Sequence, residues 1–139
     1  MAELPPDVRA LFEGANFVHL STLTADGAPS STAIWAGLEG DDVVFFTQVN
    51  SLKARNMDRD PRVAISVVDH DDPYHTAQLR GRVKEVRDAE AAHALADTLA
   101  LRYTGEPFPY KPPTSRLYVV EVQRVHSAEL PFAHRPSAA

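Results

Sequence analysis

The sequence predicts a mostly β fold, an antiparallel barrel of about six strands flanked by helices. Short segments of alternating apolar and polar residues follow one another, and residues typical of tight turns separate them. Residues 88–103 form the one segment with the spacing and alanine content of a long helix, and they come late in the chain. Because strands joined by short turns pair in antiparallel fashion, these observations favour a barrel over alternating strands and helices.

A short helix is predicted near the start of the chain. Pro5 and Pro6, followed by Asp7, are typical of a helix start, and Gly14 is typical of a helix end. One face of this helix is apolar and consists of Val8, Leu11 and Phe12. We expect that face to be buried.

Three strands joined by tight turns are predicted next. Residues 17–23 form the first strand, and the Asp-Gly turn at 26–27 leads to a second strand over residues 30–38. After a turn at 39–42, residues 43–47 form the third strand. The first half of the chain is therefore predicted to be a β-meander.

A second short helix and two further strands are predicted in the middle of the chain. Ser51 is a suitable N-cap for a helix that runs through Met57 and is ended by the Asp-Pro pair that follows. Residues 62–68 are rich in β-branched side chains and predict a well-buried strand. Residues 74–86 predict another strand, in which Gly81 indicates a bulge or a close approach of two backbones.

The last part of the chain contains the long helix, an irregular loop and a final strand. Asp88 is a suitable cap for the helix, and the residues that recur at helical spacing are Ala91, Leu95, Thr98, Leu99 and Arg102. Residues 104–115 hold four of the 11 prolines, a composition that suits a lid, an interface arm or a rigid crossover. Residues 116–130 predict the last strand.

Residues 1–139 are expected to form a single domain, with residues 130–139 as a flexible tail. This length can bury one core without disulfides or metal ions. Hydrophobic residues make up 44% of the chain and charged residues 24%, which is typical of a folded domain.

The composition excludes several classes of function. The absence of cysteine rules out disulfides, thiolate metal ligands and cysteine nucleophiles. The net charge of -5 argues against a nucleic-acid partner. Since the chain has neither a basic, apolar leader nor a stretch of about 18 apolar residues, we expect a cytoplasmic protein with no membrane partner.

The stretch TQVNSLKARNMDRDP, residues 47–61, gathers cations where the third strand passes into the second helix. The free amide groups of a helix start, the hydroxyl of Ser51 and the ammonium of Lys53 together favour a phosphate or carboxylate ligand. Lys53 and Asn56 lie three positions apart and share a helix face, whereas Arg55 lies about 200° from Lys53 around the axis. The alternative interpretation is a solvated, charged helix face.

The order of these elements, and above all the block NSLKARNMDRDPRVAISV at residues 50–67, resembles the flavin-binding split barrels related to pyridoxamine-phosphate oxidase. The resemblance covers residues 17–86 and, more loosely, the strand that begins at residue 116. It implies a six-stranded antiparallel split β-barrel with flanking helices that forms a homodimer and binds its cofactor across the interface. The cofactor in this family is FMN or the deazaflavin coenzyme F420.

The resemblance also implies which residues contact the cofactor. The strand that lines the ring matches Ser31, Thr32, Ala33, Ile34 and Trp35. The polar residue at the end of the third strand matches Thr47, and the phosphate site matches Ser51, Lys53, Arg55 and Asn56. The strand that reaches the cofactor from the other side of the barrel begins with Tyr74, His75 and Thr76.

Departures from the true pyridoxamine-phosphate oxidases change the activity that the resemblance implies. Those enzymes carry arginine and lysine on the second strand and end in a basic segment that contains tryptophan, whereas this chain has Ser30, Ser31 and Ala36 and ends in SAELPFAHRPSAA. Its compact length and its KARNMDRDPR block are similar to the F420-dependent branch. The implied activity is hydride transfer between reduced F420 and an electron-poor organic acceptor, such as an enone, a quinone or a tetrapyrrole. The alternatives are an FMN-dependent oxidoreductase and a non-catalytic protein that binds a flavin, a deazaflavin or haem.

Other residues carry weaker functional signals. Residues 70–75, HDDPYH, gather two histidines and two aspartates, but the spacing matches no closed zinc site, so we expect no metal. No hydrolase motif appears, and no catalytic residue is assigned, because the cofactor carries the chemistry of hydride transfer. Trp35 is expected either in the core or against the cofactor ring. Tyr110 is expected either to approach the substrate or to pack among the neighbouring prolines.

Overall fold

The computed structural model describes residues 2–137 and confirms a mostly β fold with flanking helices. Three helices and seven strands lie within that range. The helices are α1 (Pro6–Glu13), α2 (Leu52–Arg59) and α3 (Ala89–Thr104). The strands are β1 (Val18–Leu23), β2 (Pro29–Ile34), β3 (Gly37–Glu39), β4 (Asp42–Gln48), β5 (Arg62–Val68), β6 (His75–Arg87) and β7 (Ser115–Glu129).

These strands form one antiparallel sheet in the order β2-β1-β5-β6-β7-β4-β3. The strands β2 and β3 lie at opposite edges of the sheet, although only Trp35 and Ala36 separate them in the chain. Three Cα–Cα steps span at most roughly 11 Å, so the two edges come close together at this point. The sheet therefore curls into a barrel that stays open between β2 and β3, and the split-barrel fold is confirmed.

The prediction of a single strand over residues 30–38, and with it the count of six strands, is corrected by the structure. The segment is divided into β2, which pairs with β1, and β3, which pairs with β4. Alternation of apolar and polar residues indicates an extended segment but does not say which strand it pairs with. The change of partner at Trp35 therefore leaves no local pattern in the sequence.

The strand β5 is buried on one face only, whereas its β-branched composition predicts a well-buried strand. Val63, Ile65 and Val67 are buried, and Arg62 and Ala64, which alternate with them, are exposed. Antiparallel sheets commonly pack one face on the core and leave the other face open. The outer face of β5 is therefore open in the single chain described over residues 2–137.

Gly81 marks a close approach of two strands, as predicted. The register between β6 and β7 shifts between Arg80 and Gly81. A methyl group at position 81 would overlap the backbone carbonyl oxygen of Glu121 on β7 and would lie 3.0 Å from a methyl carbon of Val120. Among the amino acids, only glycine allows the two backbones to lie this close together.

The helices begin where the sequence predicts. The Ser51 hydroxyl accepts a hydrogen bond from the backbone N–H of Ala54 at 3.2 Å, and the Asp88 carboxylate accepts one from Ala91 at 3.0 Å. The predicted apolar face of α1 is buried and consists of Val8, Leu11 and Phe12. No helix within residues 2–137 has the length and apolar character needed to cross a membrane.

The buried face of α3 is shifted from the predicted one. The structure buries Ala92, Ala96, Leu99 and Ala100, whereas Thr98 of the predicted face is exposed. The small alanine side chains allow α3 to lie close against β4 and β7. Because alanine occurs on every side of this helix, the apolar spacing alone does not identify the face that packs.

Candidate functional site

A cavity of about 400 Å³ lies where β2 ends, where β4 passes into α2, and under the proline-rich loop that joins α3 to β7. Twelve residues line it: Phe17, Ala33, Ile34, Trp35, Phe46, Thr47, Gln48, Lys53, Phe108, Tyr110, Pro112 and Ser115. Its volume is that of a typical pocket for a small molecule or a cofactor. The cavity joins segments that are far apart in the chain, so that it exists only in the folded protein.

One wall of the cavity is aromatic. The indole of Trp35 stacks on Tyr103, with ring centroids 5.2 Å apart and an angle of 14° between the planes. Phe108 meets Trp35 edge-on at 6.2 Å, and it also contacts Phe46 at 5.3 Å and Tyr110 at 5.7 Å. Aromatic rings in such offset and edge-on arrangements stabilise one another and present a flat apolar surface. This wall suits contact with a planar ring.

Tyr103 anchors this wall from outside the cavity lining. Its hydroxyl donates a hydrogen bond to the backbone carbonyl of Asn16 and lies 3.5 Å from the backbone nitrogen of Ala36. Partial burial raises the pKa of Tyr103 above its ordinary value. The phenol therefore stays protonated at neutral pH, and the ring that supports Trp35 is held in place.

The start of α2 brings positive charge to the edge of the cavity. Lys53 lines the cavity, and within residues 2–137 it has no carboxylate partner, whereas the other lysines, Lys84 and Lys111, form ion pairs at 2.7 Å with aspartates. The backbone N–H groups of Leu52 and Lys53 have no acceptor among the described residues. A lone ammonium beside unpaired amides at a helix start forms a suitable anion site.

Two hydroxyl groups connect this helix start to β4. Thr47, which lines the cavity, lies with its Oγ1 2.9 Å from the Oγ of Ser51. Ser51 in turn caps α2 through Ala54. Ser51 therefore contributes to the site through Thr47 and the helix cap, since it does not line the cavity itself.

Asn56 lies inside the barrel and not in the cavity, although it was predicted at the phosphate site together with Lys53. It is 1% exposed, its amide nitrogen donates to the hydroxyl of Thr22 at 3.0 Å, and its amide oxygen accepts from Arg59 at 2.9 Å. The side of α2 that carries Asn56 packs against β1, so Asn56 does not face the cavity as Lys53 does. The amide of Asn56 therefore connects α2 to the barrel.

Replacing Asn56 with alanine is expected to lower the free energy of unfolding by about 1–3 kcal/mol, because the buried hydroxyl of Thr22 loses its partner. Denaturation with urea, followed by circular dichroism, measures this change. The matched control is Asn50→Ala, since Asn50 is exposed in the turn before α2. Equal stability of the two variants would show that the buried amide contributes nothing.

The other predicted site residues lie outside the cavity lining. Arg55 is exposed on α2, and Ser31 and Thr32 are exposed on β2, outside the cavity lining. His75 lies at the start of β6, with ring nitrogens 3.8 Å from Asp69 and 3.6 Å from Glu129. Its neighbours in the chain, Tyr74 and Thr76, do not line the cavity either. The structure thus brings together Ala33, Ile34, Trp35, Thr47 and Lys53 from the predicted set.

The sequence interpretation missed several aromatic contributors to the cavity. The sequence pattern predicts only strands for Phe17 and Phe46 and only an irregular loop for Phe108. The one local signal was the position of Phe46 directly before Thr47 at the end of a strand. Contacts between Phe46 and Phe108 join residues 62 positions apart, and no spacing rule predicts them.

A second cleft, of about 610 Å³, lies on the outer face of β5, β6 and β7. Its lining includes the small side chains of Ser21, Ala64 and Ser66. It also includes Arg80 and Arg124, which are directly opposite each other in the register of β6 and β7. Like charges in facing positions repel each other, so a carboxylate placed against this pair would stabilise it.

The residues in the described part of the chain show no metal site. Within residues 2–137, no three His, Asp or Glu side chains come together in an arrangement that could hold a metal ion. Asp69, which directly precedes the HDDPYH residues, accepts hydrogen bonds from the backbone N–H groups of Asp71 and Asp72 at 2.9 Å and 3.3 Å. These contacts are those of an ordinary polar turn.

Comparison with known proteins gives a family for this chain. The family model described as pyridoxamine 5'-phosphate oxidase matches residues 4–128. No curated protein matches the chain.

Several solved structures are similar to this chain over most of its length. A protein named "F420 Reductase" shares 28% identity at a TM-score of 0.80, and the match covers 88% of this chain and 98% of that chain. A conserved hypothetical protein from Mycobacterium tuberculosis shares 22% identity at a TM-score of 0.77, over 99% of this chain and 95% of that chain. A putative pyridoxamine 5'-phosphate oxidase from Lactobacillus delbrueckii shares 18% identity at a TM-score of 0.65, over 89% and 93%. The latter two matches support the fold alone.

Proposed function

The chain belongs to the pyridoxamine 5'-phosphate oxidase family, and from that premise we propose that it is an oxidoreductase that uses coenzyme F420, with FMN as the alternative cofactor. The reaction would be hydride transfer between the reduced cofactor and an electron-poor organic acceptor. The observation that carries the proposal is a cavity of about 400 Å³ with an aromatic wall and an unpaired lysine at a helix start. In this proposal, Trp35 at the end of β2 matches the flat ring of such a cofactor and Lys53 matches its phosphate. This leaves the loop side of the wall, Phe108 and Tyr110, for the acceptor.

The residues of the cavity fit a phosphate-bearing cofactor. Lys53 and the free N–H groups at the start of α2 would hold the phosphate, and the hydroxyl of Thr47 would donate a further hydrogen bond. The end of β2, from Ala33 to Trp35, would lie against the ring. The cofactor, when bound, supplies the hydride chemistry.

The choice of F420 over FMN has two supports. The similar structure named "F420 Reductase" shares 28% identity over 88% of this chain. Arg55 is exposed on α2, two residues after Lys53, and has no carboxylate partner among residues 2–137. F420 has an acidic tail beyond its phosphate, and such a tail would give Arg55 an anionic partner separate from that of Lys53.

The protein's own side chains orient the reactants. Trp35, Phe46 and Phe108 form an apolar wall against which a flat ring can pack. None of the twelve described lining residues is acidic, so the lining does not repel an anionic cofactor and holds no carboxyl group as proton donor. The proton that accompanies the hydride is therefore proposed to come from solvent.

We also propose that the protein acts as a homodimer. Tyr74, His75 and Thr76 do not line the cavity of their own chain, so in this proposal they contribute to the cofactor site of a second copy. The outer face of β1, β5, β6 and β7, with small residues such as Ala64 and Ser66, offers a surface for that copy. Light scattering after size-exclusion chromatography tests this, and a monomer at micromolar concentration would contradict it.

Titration of the apoprotein with F420 and, separately, with FMN tests the cofactor proposal. The expected result is saturable binding, tighter for F420, followed through the fluorescence of each cofactor. Failure to bind either cofactor would overturn the proposal.

A turnover assay then tests catalysis. Reduced F420 and menadione, an artificial quinone, should react faster with the protein present than without it. Cofactor binding without any acceleration would instead indicate a protein that carries or stores the cofactor.

A further inference from the structure

The loop of residues 105–114, called the 105–114 loop below, is held at its middle by one carboxylate. Asp97 lies on α3, and its Oδ1 accepts a hydrogen bond from the backbone N–H of Phe108 at 3.1 Å and from the ammonium of Lys111 at 2.7 Å. Lys111 also donates to the carbonyl of Phe108 at 3.1 Å. The three groups thus form a closed set of contacts. The hydrogen bond from Lys111 holds the pKa of the Asp97 carboxyl below its ordinary value, so the carboxylate is charged at neutral pH.

Within residues 2–137, the backbone of residues 107–111 makes one hydrogen bond to the remainder of the chain, from the N–H of Phe108 to Asp97. Pro107 and Pro109 have no N–H group to donate, which prevents this segment from joining a sheet. The position of the segment therefore depends on Asp97 and on ring contacts.

The end of the loop is held independently of Asp97. His93 lies 2.8 Å from the carbonyl of Pro112, and Thr114 donates to the side chain of Gln48 at 3.0 Å. The loop start is fixed by Gly105, which caps α3 in a left-handed conformation with a φ of 80°. Between these two fixed ends, Asp97 holds the part of the loop that carries Phe108 and Tyr110.

Phe108 and Tyr110 give the loop side of the cavity its chemical character. Phe108 packs between Trp35 and Phe46, while Tyr110 is 68% exposed at the cavity edge. The charged group and the aliphatic hydroxyl groups of the lining come from α2, β4 and the start of β7, whereas the loop contributes two aromatic rings, one of them with the phenol of Tyr110, and a proline. The loop side of the lining therefore carries no charge, and it suits a flat, largely apolar molecule.

We propose that Asp97 is a positioning residue that holds Phe108 and Tyr110 as the wall against which the acceptor binds, and that this wall selects flat, apolar, conjugated acceptors. The proposal rests on the proposed function, because the acceptor is the molecule that exchanges a hydride with the cofactor. The residue acts through the loop and touches neither reactant. Its loss should therefore weaken acceptor binding without changing the affinity for the cofactor.

The single tryptophan of the chain allows this to be tested without cofactor, because Trp35 contacts Phe108 directly. One variant is Asp97→Ala, which removes the carboxylate and with it the hydrogen bonds from the Phe108 N–H and the Lys111 ammonium. The other is Asp97→Asn, which keeps an oxygen for the Phe108 N–H but removes the charge that pairs with Lys111. The matched control is Glu85→Gln, which removes one negative charge from the Glu85–Arg87 ion pair, 2.9 Å long, on β6. Two measurements are made on each apoprotein: quenching of Trp35 fluorescence by acrylamide, and titration with menadione followed by the same fluorescence.

In Asp97→Ala, acrylamide quenching of Trp35 should increase, and the dissociation constant for menadione should rise roughly fivefold, the effect of losing a partly exposed ion pair and one hydrogen bond. Asp97→Asn should give a smaller change in the same direction. Glu85→Gln should match the parent protein in both measurements. Thermal melting of all variants shows that the comparison is made between folded proteins.

Three results with the apoprotein would overturn the proposal. The first is that menadione does not quench Trp35 saturably in the parent protein. The second is that the parent and Asp97→Ala have equal dissociation constants for menadione. The third is that Glu85→Gln changes this dissociation constant as much as Asp97→Ala does. If the holoprotein can be formed, the KM for menadione should rise in Asp97→Ala while kcat and the dissociation constant of F420 stay within about twofold; an unchanged KM would also overturn it. Failure of F420 and FMN to bind refutes the proposed function, and the two fluorescence measurements on the apoprotein still decide the role of Asp97.

Discussion

Replacing Lys53 with alanine is expected to weaken the binding of F420 and of FMN by roughly 10- to 100-fold, the loss typical of a hydrogen bond to a charged group. Lys53 lines the cavity, and within residues 2–137 it has no carboxylate that would neutralise it. The fold should be unaffected, since no hydrogen bond or ion pair in the described chain depends on its ammonium. Fluorescence titration at a fixed ionic strength measures the change, because charge interactions weaken as salt increases.

The matched control for this experiment is Arg62→Ala. It also removes one positive charge, but from an exposed ion pair with Asp60, in which the arginine side chain is 75% exposed. That variant should bind both cofactors like the parent protein. Unchanged affinity in Lys53→Ala would contradict the site assignment, and an equal loss in both variants would mean that only the overall charge matters. Lys53→Arg should retain most of the affinity, because the positive charge is kept.

Replacing Gly81 with alanine is expected to lower the free energy of unfolding by about 3 kcal/mol or more and the melting temperature by roughly 10 °C. The added methyl group would overlap the carbonyl oxygen of Glu121, a backbone atom that cannot rotate away. The strands β6 and β7 would have to separate, and they form the longest paired ladder of the sheet. Differential scanning calorimetry or thermal circular dichroism measures the change.

Gly37→Ala is the matched control for the Gly81 variant. Gly37 is also a buried strand glycine, but a methyl group there would meet the end of the Leu99 side chain at 3.3 Å. A leucine methyl can move by a few tenths of an ångström, so we expect a much smaller loss of stability. Equal melting temperatures of the parent and Gly81→Ala would show that the β6–β7 bulge tolerates a side chain.

Most of the helix and strand positions could be predicted because their causes are local. Ser51 and Asp88 cap their helices through hydrogen bonds to residues three positions later, and the alternation in residues 62–68 is seen in the strand. Gly81 was predicted to mark a bulge or close approach, and the structure shows both. In each case the signal and the structure lie within a few residues of each other.

The candidate site was predictable only in part. The resemblance named Trp35, Thr47 and Lys53, and all three line one cavity. It also placed Asn56 at the phosphate, but the spacing rule that joins Lys53 to Asn56 does not say which side of α2 faces the barrel. The structure buries Asn56 against Thr22 on β1, 34 residues away.

The sequence by itself determined the class of fold, the helix starts and the basic helix start that suits an anion. Each depends on neighbours in the chain, through capping, alternation or charge. The tertiary structure decided that the chain changes partner strand at Trp35, that α3 packs through alanines, and that Phe108 closes the cavity beside Phe46. These outcomes depend on contacts between residues distant in the chain, such as Asp97 with Phe108 and Trp35 with Tyr103. Such contacts form only when the sheet curls and brings the 105–114 loop over the end of β4.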